Sequence, residues 1–143
     1  MGRRRQAREI VLQVLYAHEL NGYPVAEVVA DRLSGQEEGE LKEYVERLSS
    51  RVVAEQAELD RRIAERAANW DLSRIALIDK LILRIGLCEL LWFPDVPGKV
   101  CINESIELAK KYSSSDAKRF VNGILDAVWK ETESSDHAPG TDQ

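Results

Sequence analysis

The sequence predicts an all-α fold, and three observations carry that prediction. Apolar residues recur at spacings of three and four through most of the 143-residue chain, the pattern of helices that bury one face. The composition, 44% hydrophobic and 31% charged, is rich in Ala, Leu, Glu and Arg, and only 8 Gly and 4 Pro interrupt it. No segment alternates as a strand does, and no internal repeat is present. A chain of this length can bury a substantial core as a single domain without disulfides or metal.

Each element follows from its own residues. Ala7, Ile10, Val11, Val14, Leu15 and His18 share one face of a first helix over Arg4 to Leu20. Asn21-Gly22-Tyr23-Pro24 ends it, since Gly suits a helix C-terminus and Pro the first turn of the next helix. A short second helix carries Val25, Val28, Val29 and Leu33, and Ser34 to Gly39 reads as a loop. From Glu40 to Asn69 the period is helical but too long for one typical helix, which places a break between Ala57 and Asp60.

Ser73 to Phe93 is the most apolar segment, and a helix apolar around most of its girth belongs at the centre of a fold. Asp79, Lys80, Arg84 and Glu89 lie inside it. Each is costly at a bilayer centre, roughly 2.5–3.5 kcal/mol, so a buried core helix is expected and not a membrane span. Pro94-Asp95-Val96-Pro97-Gly98 is a turn, followed by a helix over Val100 to Tyr112. Ser113-Ser114-Ser115-Asp116 supplies N-cap residues for a last helix that buries Phe120, Val121, Ile124, Leu125 and Val128. Gly86 and Gly123, both inside helical patterns, are expected to mark a close crossing. Residues 1–131 therefore form one helical domain, and Thr132 to Gln143 reads as a disordered acidic tail.

The net charge of −5 hides a polar distribution. Arg3, Arg4, Arg5 and Arg8 place +4 on the first eight residues, so the remainder carries −9. A compact basic pole can attract a polyanion locally, because salt screens charges beyond ~10 Å at 0.1 M. These cations sit at the positive end of the helix dipole, where they destabilise their own helix. Something outside the helix is expected to offset that cost, and a phosphate backbone, which guanidinium groups bind bidentately, would do so. Lys118, Arg119 and Asn122 form a second, smaller polar patch.

Catalysis is not expected. The two histidines, His18 and His137, lie far apart in sequence, and there is no phosphate-binding Gly loop, nucleophile elbow or paired-cysteine zinc spacing. Asp95, Glu104 and Glu107 read as a loop acid and a solvated helix face. No metal or cofactor is implied. Cys88 and Cys101 fall in apolar helical patterns, and no secretory leader is apparent. Reduced thiols in a cytoplasmic protein are the expectation.

Five stretches together resemble the NusB family of bacterial transcription antitermination factors. They are Arg3-Arg4-Arg5-Gln6-Ala7-Arg8-Glu9 leading into Val14-Leu15-Tyr16, Leu83-Arg84-Ile85-Gly86-Leu87-Cys88-Glu89-Leu90, Val96-Pro97, Ile102-Asn103-Glu104-Ser105-Ile106-Glu107-Leu108-Ala109-Lys110, and Phe120-Val121-Asn122-Gly123-Ile124-Leu125-Asp126. The resemblance implies about seven helices in two small subdomains. It also implies binding to boxA, a short single-stranded element of ribosomal-operon leader RNA. The implied partners are NusE, a small-subunit ribosomal protein, and the RNA polymerase antitermination complex; some members of the family also form homodimers. By position, Arg3, Arg4, Arg5 and Arg8 match the RNA-binding start, joined by Asp116, Lys118 and Phe120. Tyr16, Asp79 and Lys80 match the surface where NusE docks.

Two other readings compete. NusB-like domains also precede the catalytic domain of ribosomal-RNA cytosine methyltransferases, although this sequence leaves no room after its last helix for a cofactor-binding sheet. A purely protein-binding scaffold would suit the acidic body.

Overall fold

The computed structural model describes residues 2–35, 39–67 and 74–136. Among them are seven α-helices and no strand: α1 (Gly2–Asn21), α2 (Val25–Arg32), α3 (Glu40–Ala54), α4 (Gln56–Arg66), α5 (Leu77–Trp92), α6 (Gly98–Tyr112) and α7 (Ser115–Asp136). No helix among these residues is long and apolar enough to cross a membrane.

The all-α expectation holds, and the local rules explain most of the boundaries. α1 ends where Gly22 takes a left-handed φ of 78°, and its N–H bonds the His18 carbonyl at 2.9 Å. The core face of α1 is Ala7, Val11, Leu12, Val14 and Leu15. Leu12, absent from the predicted stripe, is buried because α1 is covered on more than one side, by α2, α3 and α5.

The break between α3 and α4 falls at Glu55, just ahead of the predicted window. The Glu55 N–H closes α3 on the Arg51 carbonyl, and its own carbonyl accepts from Leu59 to open α4. The bend re-aims Leu59 and Ile63 into the core that Leu48 and Val52 already enter.

α5 is central. Every residue from Leu81 to Glu89 is buried, and α5 packs against α1, α3, α4, α6 and α7. The helix begins at Leu77, since Ala76 is extended (φ −57°, ψ 143°); Ser73, its predicted start, lies outside the described residues. The N-terminal group α1–α3 and the C-terminal group α4–α7 thus meet along α5, and one hydrophobic cluster runs through both. Cys88 and Cys101 are free and buried, and burial pushes both thiols up to about 12.

Of the two glycines expected at a crossing, only Gly86 marks one. A Cβ there would lie 2.3 Å from Ser105 Oγ of α6 and 2.9 Å from Leu125 Cδ1 of α7, so the absent side chain permits the three-helix contact. Gly123 faces outward, and a Cβ added to it would meet nothing within 4 Å. A second close approach is at Gly98, over the Trp129 ring. Within the predicted tail, residues 132–136 continue α7 through Asp136, with the Thr132 hydroxyl bonded to the Val128 carbonyl at 2.9 Å. Residues 137–143 lie outside the described ones.

Candidate nucleic-acid interface

The four N-terminal arginines separate into three environments. Arg3 is exposed and has no ion partner among the described residues. Arg4 reaches Asp95 in the α5–α6 turn at 3.1 Å, with both side chains open to solvent. Its guanidinium also lies 4.2 Å from the centroid of the Tyr44 ring on α3. Arg5 forms a bidentate pair with Glu104 of α6, at 3.0 and 2.8 Å. The Arg5 hydrogen bonds hold the Glu104 carboxyl below its ordinary value, and the Arg4 hydrogen bond does the same to Asp95.

Arg8 is different. Only 4% exposed, its Nε donates to both carboxylate oxygens of Glu89, each at 2.9 Å, and Glu89 is 1% exposed. Tyr44 donates its hydroxyl to the same carboxylate. Burial works against the Arg8 charge, but the Glu89 charge and hydrogen bonds outweigh it and raise the guanidinium's pKa. Burial, with the Glu89 charge, also drives the Tyr44 hydroxyl upward, so it stays a donor. This buried triad joins α1, α3 and α5.

Two expectations change as a result. Arg8, anticipated on the RNA face, is 4% exposed and fixes the orientation of α1, while its side chain still borders the cavities walled by Arg5 and Glu104. The cost of cations at the α1 N-terminus is offset by Asp95, Glu89 and Glu104, so the helix needs no external anion to explain it. Asp95 and Glu104, read from sequence as solvated acids, are partners of these arginines.

α1 and α6 lie side by side with a groove between them. One stretch, about 340 Å³, is walled by Arg4, Arg5, Asp95, Pro97 and Glu104. The next, about 240 Å³, shares Arg5 and Glu104 and continues to Glu9, Lys110 and Lys111. Lys111 bonds Glu9 at 2.8 Å and Lys110 bonds Glu107 at 3.3 Å. Most charges in the groove thus face an opposite charge, with Arg4, Arg5, Lys110 and Lys111 exposed to solvent and Glu104 and Glu9 half-buried.

The remaining predicted residues gather at the far end of α6, roughly 22 Å away at 1.5 Å per residue over its 15 residues. Gln13 bonds the Tyr112 hydroxyl at 3.3 Å, and Ser113 donates its hydroxyl to Asp79. Tyr16, one turn beyond Gln13 and 39% exposed, and the half-buried Asp79 and Lys80 therefore flank one junction of α1, α5 and α6. Across that junction α7 begins, with Asp116 exposed and Lys118 and Phe120 half-buried. Asp116 and Phe120 border a cavity of about 660 Å³ with Arg66, Arg119 and Gly123. Asp116, Lys118 and Phe120 thus lie on the first turns of α7, and none of them lines the cavities walled by Arg4 and Arg5.

Comparison with known proteins settles the family. A model described as "NusB family" matches residues 5–130. The chain belongs to the NusB family. It is 41% identical over 133 residues to the transcription antitermination protein NusB of Chloroherpeton thalassium, an alignment covering 92% of this chain and 63% of that protein. The chain thus spans a little under two thirds of that relative's length. Among solved structures, T. maritima NusB superposes with a TM-score of 0.83 at 32% identity, covering 90% of this chain and 91% of that one. A chain of a complex of antitermination factors NusB and NusE with dsRNA superposes with a TM-score of 0.78, at 27% identity, covering 92% of this chain and 98% of that one. Seven helices among the described residues, with α5 buried at their centre, are the NusB fold that the resemblance implied.

Sequence reasoning missed Glu89 as the partner of Arg8, having weighed it only against a membrane span. A buried acid on an otherwise apolar helix needs a cation, and that was the available signal. It also missed the aromatic floor under the arginines, Tyr44 and Phe93, whose rings meet edge to face at 5.7 Å.

Proposed function

We propose that this NusB-family chain is a cytoplasmic, non-catalytic antitermination factor. It binds boxA-type single-stranded RNA of ribosomal operons together with NusE and joins the RNA polymerase antitermination complex. The observation that carries the RNA part is the tip of α1 on this fold: Arg3 open, Arg4 paired to the exposed Asp95 over the Tyr44 ring, and Arg5, itself exposed, paired to the half-buried Glu104. The two non-bridging oxygens of a phosphate can accept the paired bonds that Glu104 takes from Arg5, or the single bond that Asp95 takes from Arg4, so a strand entering the groove can take over these guanidiniums. Arg8 acts indirectly, by locking α1 in place. Lys118 and Phe120 offer a cation and a stacking ring beyond the far end of the groove, with Asp116 beside them. Tyr16, Asp79 and Lys80 form the NusE-facing junction.

The test is titration of boxA RNA and a scrambled control, with and without NusE, at several salt concentrations. Arg4→Ala with Arg5→Ala should weaken boxA binding and lower the log–log salt slope by about 1.4, at about 0.7 for each single-strand phosphate no longer neutralised. Unchanged affinity and slope would refute the assignment. The near balance of charge in the α1–α6 groove favours one alternative, a scaffold that holds NusE without touching RNA. That reading requires NusE capture with no RNA affinity in any arm of the titration.

A further inference from the structure

The basic surface does not stop at α1. On α3, Arg47 and Arg51 are four residues apart and so project from one face, a like-charge spacing that works against the helix. Both lie on aromatic rings: the Arg47 guanidinium is 4.3 Å from the Phe93 centroid, and that of Arg51 is 4.9 Å from Trp92. With Arg4 over Tyr44, three guanidiniums lie over three rings in sequence along α3. Stacking of this kind holds a guanidinium flat and leaves its N–H edges for an acceptor.

Acids and arginines interleave at the α1 end of this row, where Glu40 and Glu43 border one small cavity with Arg3, Arg4 and Arg47. Arg47 is 3.9 Å from Asp95, the carboxylate that Arg4 already occupies at 3.1 Å, so two cations share one acid close to the exposed Arg3. Arg51 Nε lies 3.2 Å from Glu55 but without hydrogen-bond alignment, and it has no other hydrogen-bond partner among the described residues. Glu43 and Glu46 line the same depression, an open cavity of about 520 Å³ floored by Trp92 and Phe93.

We infer that Arg47 and Arg51, with the Trp92–Phe93 floor, form a second RNA-contact surface that takes the nucleotides flanking the segment held at the α1 tip. The inference rests on the RNA-binding function proposed above and extends its footprint from α1 onto α3. The row of Arg4, Arg47 and Arg51 spans about 10 Å of α3, seven residues at 1.5 Å each, and continues from the Asp95-linked tip without a gap. The stacked guanidiniums supply phosphate donors. The half-buried Trp92 holds the Arg51 guanidinium as a plane on which an unpaired base can stack.

The experiment compares two RNAs, a core boxA oligonucleotide and the same element extended at both ends, binding to the full chain over a salt series. The wild-type protein should bind the extended RNA more tightly. Arg47→Ala with Arg51→Ala should bind the core RNA as wild type does, yet lose about tenfold on the extended RNA, with a salt slope lower by about 1.4. Arg47→Lys with Arg51→Lys should recover the slope, because charge is kept, but only part of the affinity, because the flat stack is lost. Equal affinity of wild type and the alanine variant for the extended RNA overturns the inference while leaving the function standing. No binding of either RNA by wild type overturns both. A shared circular dichroism spectrum and melting profile for the three proteins ties any loss to RNA contact and not to folding.

Discussion

Arg5 and Arg8 lie one turn apart on α1 and serve different ends because their surroundings differ. Arg5 keeps its charge in water beside the half-buried Glu104, and a pair open to solvent on its cation side contributes only modestly to folding. Arg8 keeps its charge inside the protein, which is tolerable only because Glu89 neutralises it and Tyr44 satisfies the carboxylate further. Removing one member of such a pair strands the other. Glu89→Gln should therefore lower stability by about 3–5 kcal/mol, read as an earlier urea midpoint at unchanged slope. Arg5→Ala should leave that midpoint nearly where it is. The comparison also separates two routes to weak RNA binding: Arg5→Ala loses affinity in a fully folded protein, whereas any loss in Arg8→Ala should track the loss of fold. An Arg8→Ala protein with wild-type stability and impaired binding would instead place Arg8 in direct contact with RNA.

At the scale of helices, the two internal glycines make opposite predictions. Gly86→Ala pushes a methyl into Ser105 and Leu125, both buried, and overpacking of this kind costs about 1–3 kcal/mol against a helix-propensity gain of about 1. Thermal melts should show a net loss. Gly123→Ala meets open space and should raise stability by about 1 kcal/mol. A stabilised Gly86→Ala protein would mean that the three-helix contact can spread at no cost. The same pair shows what sequence can and cannot convey. Helical period located all seven helices, because each buries a stripe, and it placed α5 at the centre because its girth is apolar. Which glycine sits at a crossing depends on the rotation of α7 about its own axis, and local pattern does not encode that. The break at Glu55 likewise re-aims α4 into the core, which local pattern alone does not place. In the candidate interface, the arginine run stood out as a charge anomaly. Its partners lie some 80 to 100 residues away, and no spacing rule connects Arg8 to Glu89 or Arg5 to Glu104.

At the scale of the molecule, the question is whether the two helical groups unfold together. α5 belongs to both: its buried residues contact the N-terminal and C-terminal groups alike, and the hydrophobic cluster draws side chains from all seven helices. Polar links reinforce the joint, with Arg8–Glu89–Tyr44 tying α1, α5 and α3, and Arg84–Asp60 tying α5 to α4 at 2.8 Å. Exposing either group alone would open one side of α5 to water, so neither has an independent core to fall back on. Urea unfolding should therefore be a single transition, with far-ultraviolet circular dichroism, which reports on all helices, coinciding with tryptophan fluorescence, which reports in part on Trp92 and Trp129 in the C-terminal group. Leu87→Ala, at a fully buried position of α5, should lower stability by about 2–5 kcal/mol and shift both curves by the same amount. Curves that separate in that variant would show that the groups are held together more weakly than a shared α5 requires. In that case the α1 tip could shift relative to the Tyr16–Asp79–Lys80 junction. If the curves coincide, RNA-facing and partner-facing surfaces ride on one rigid body, and binding at one end of α6 presents the other in a fixed orientation.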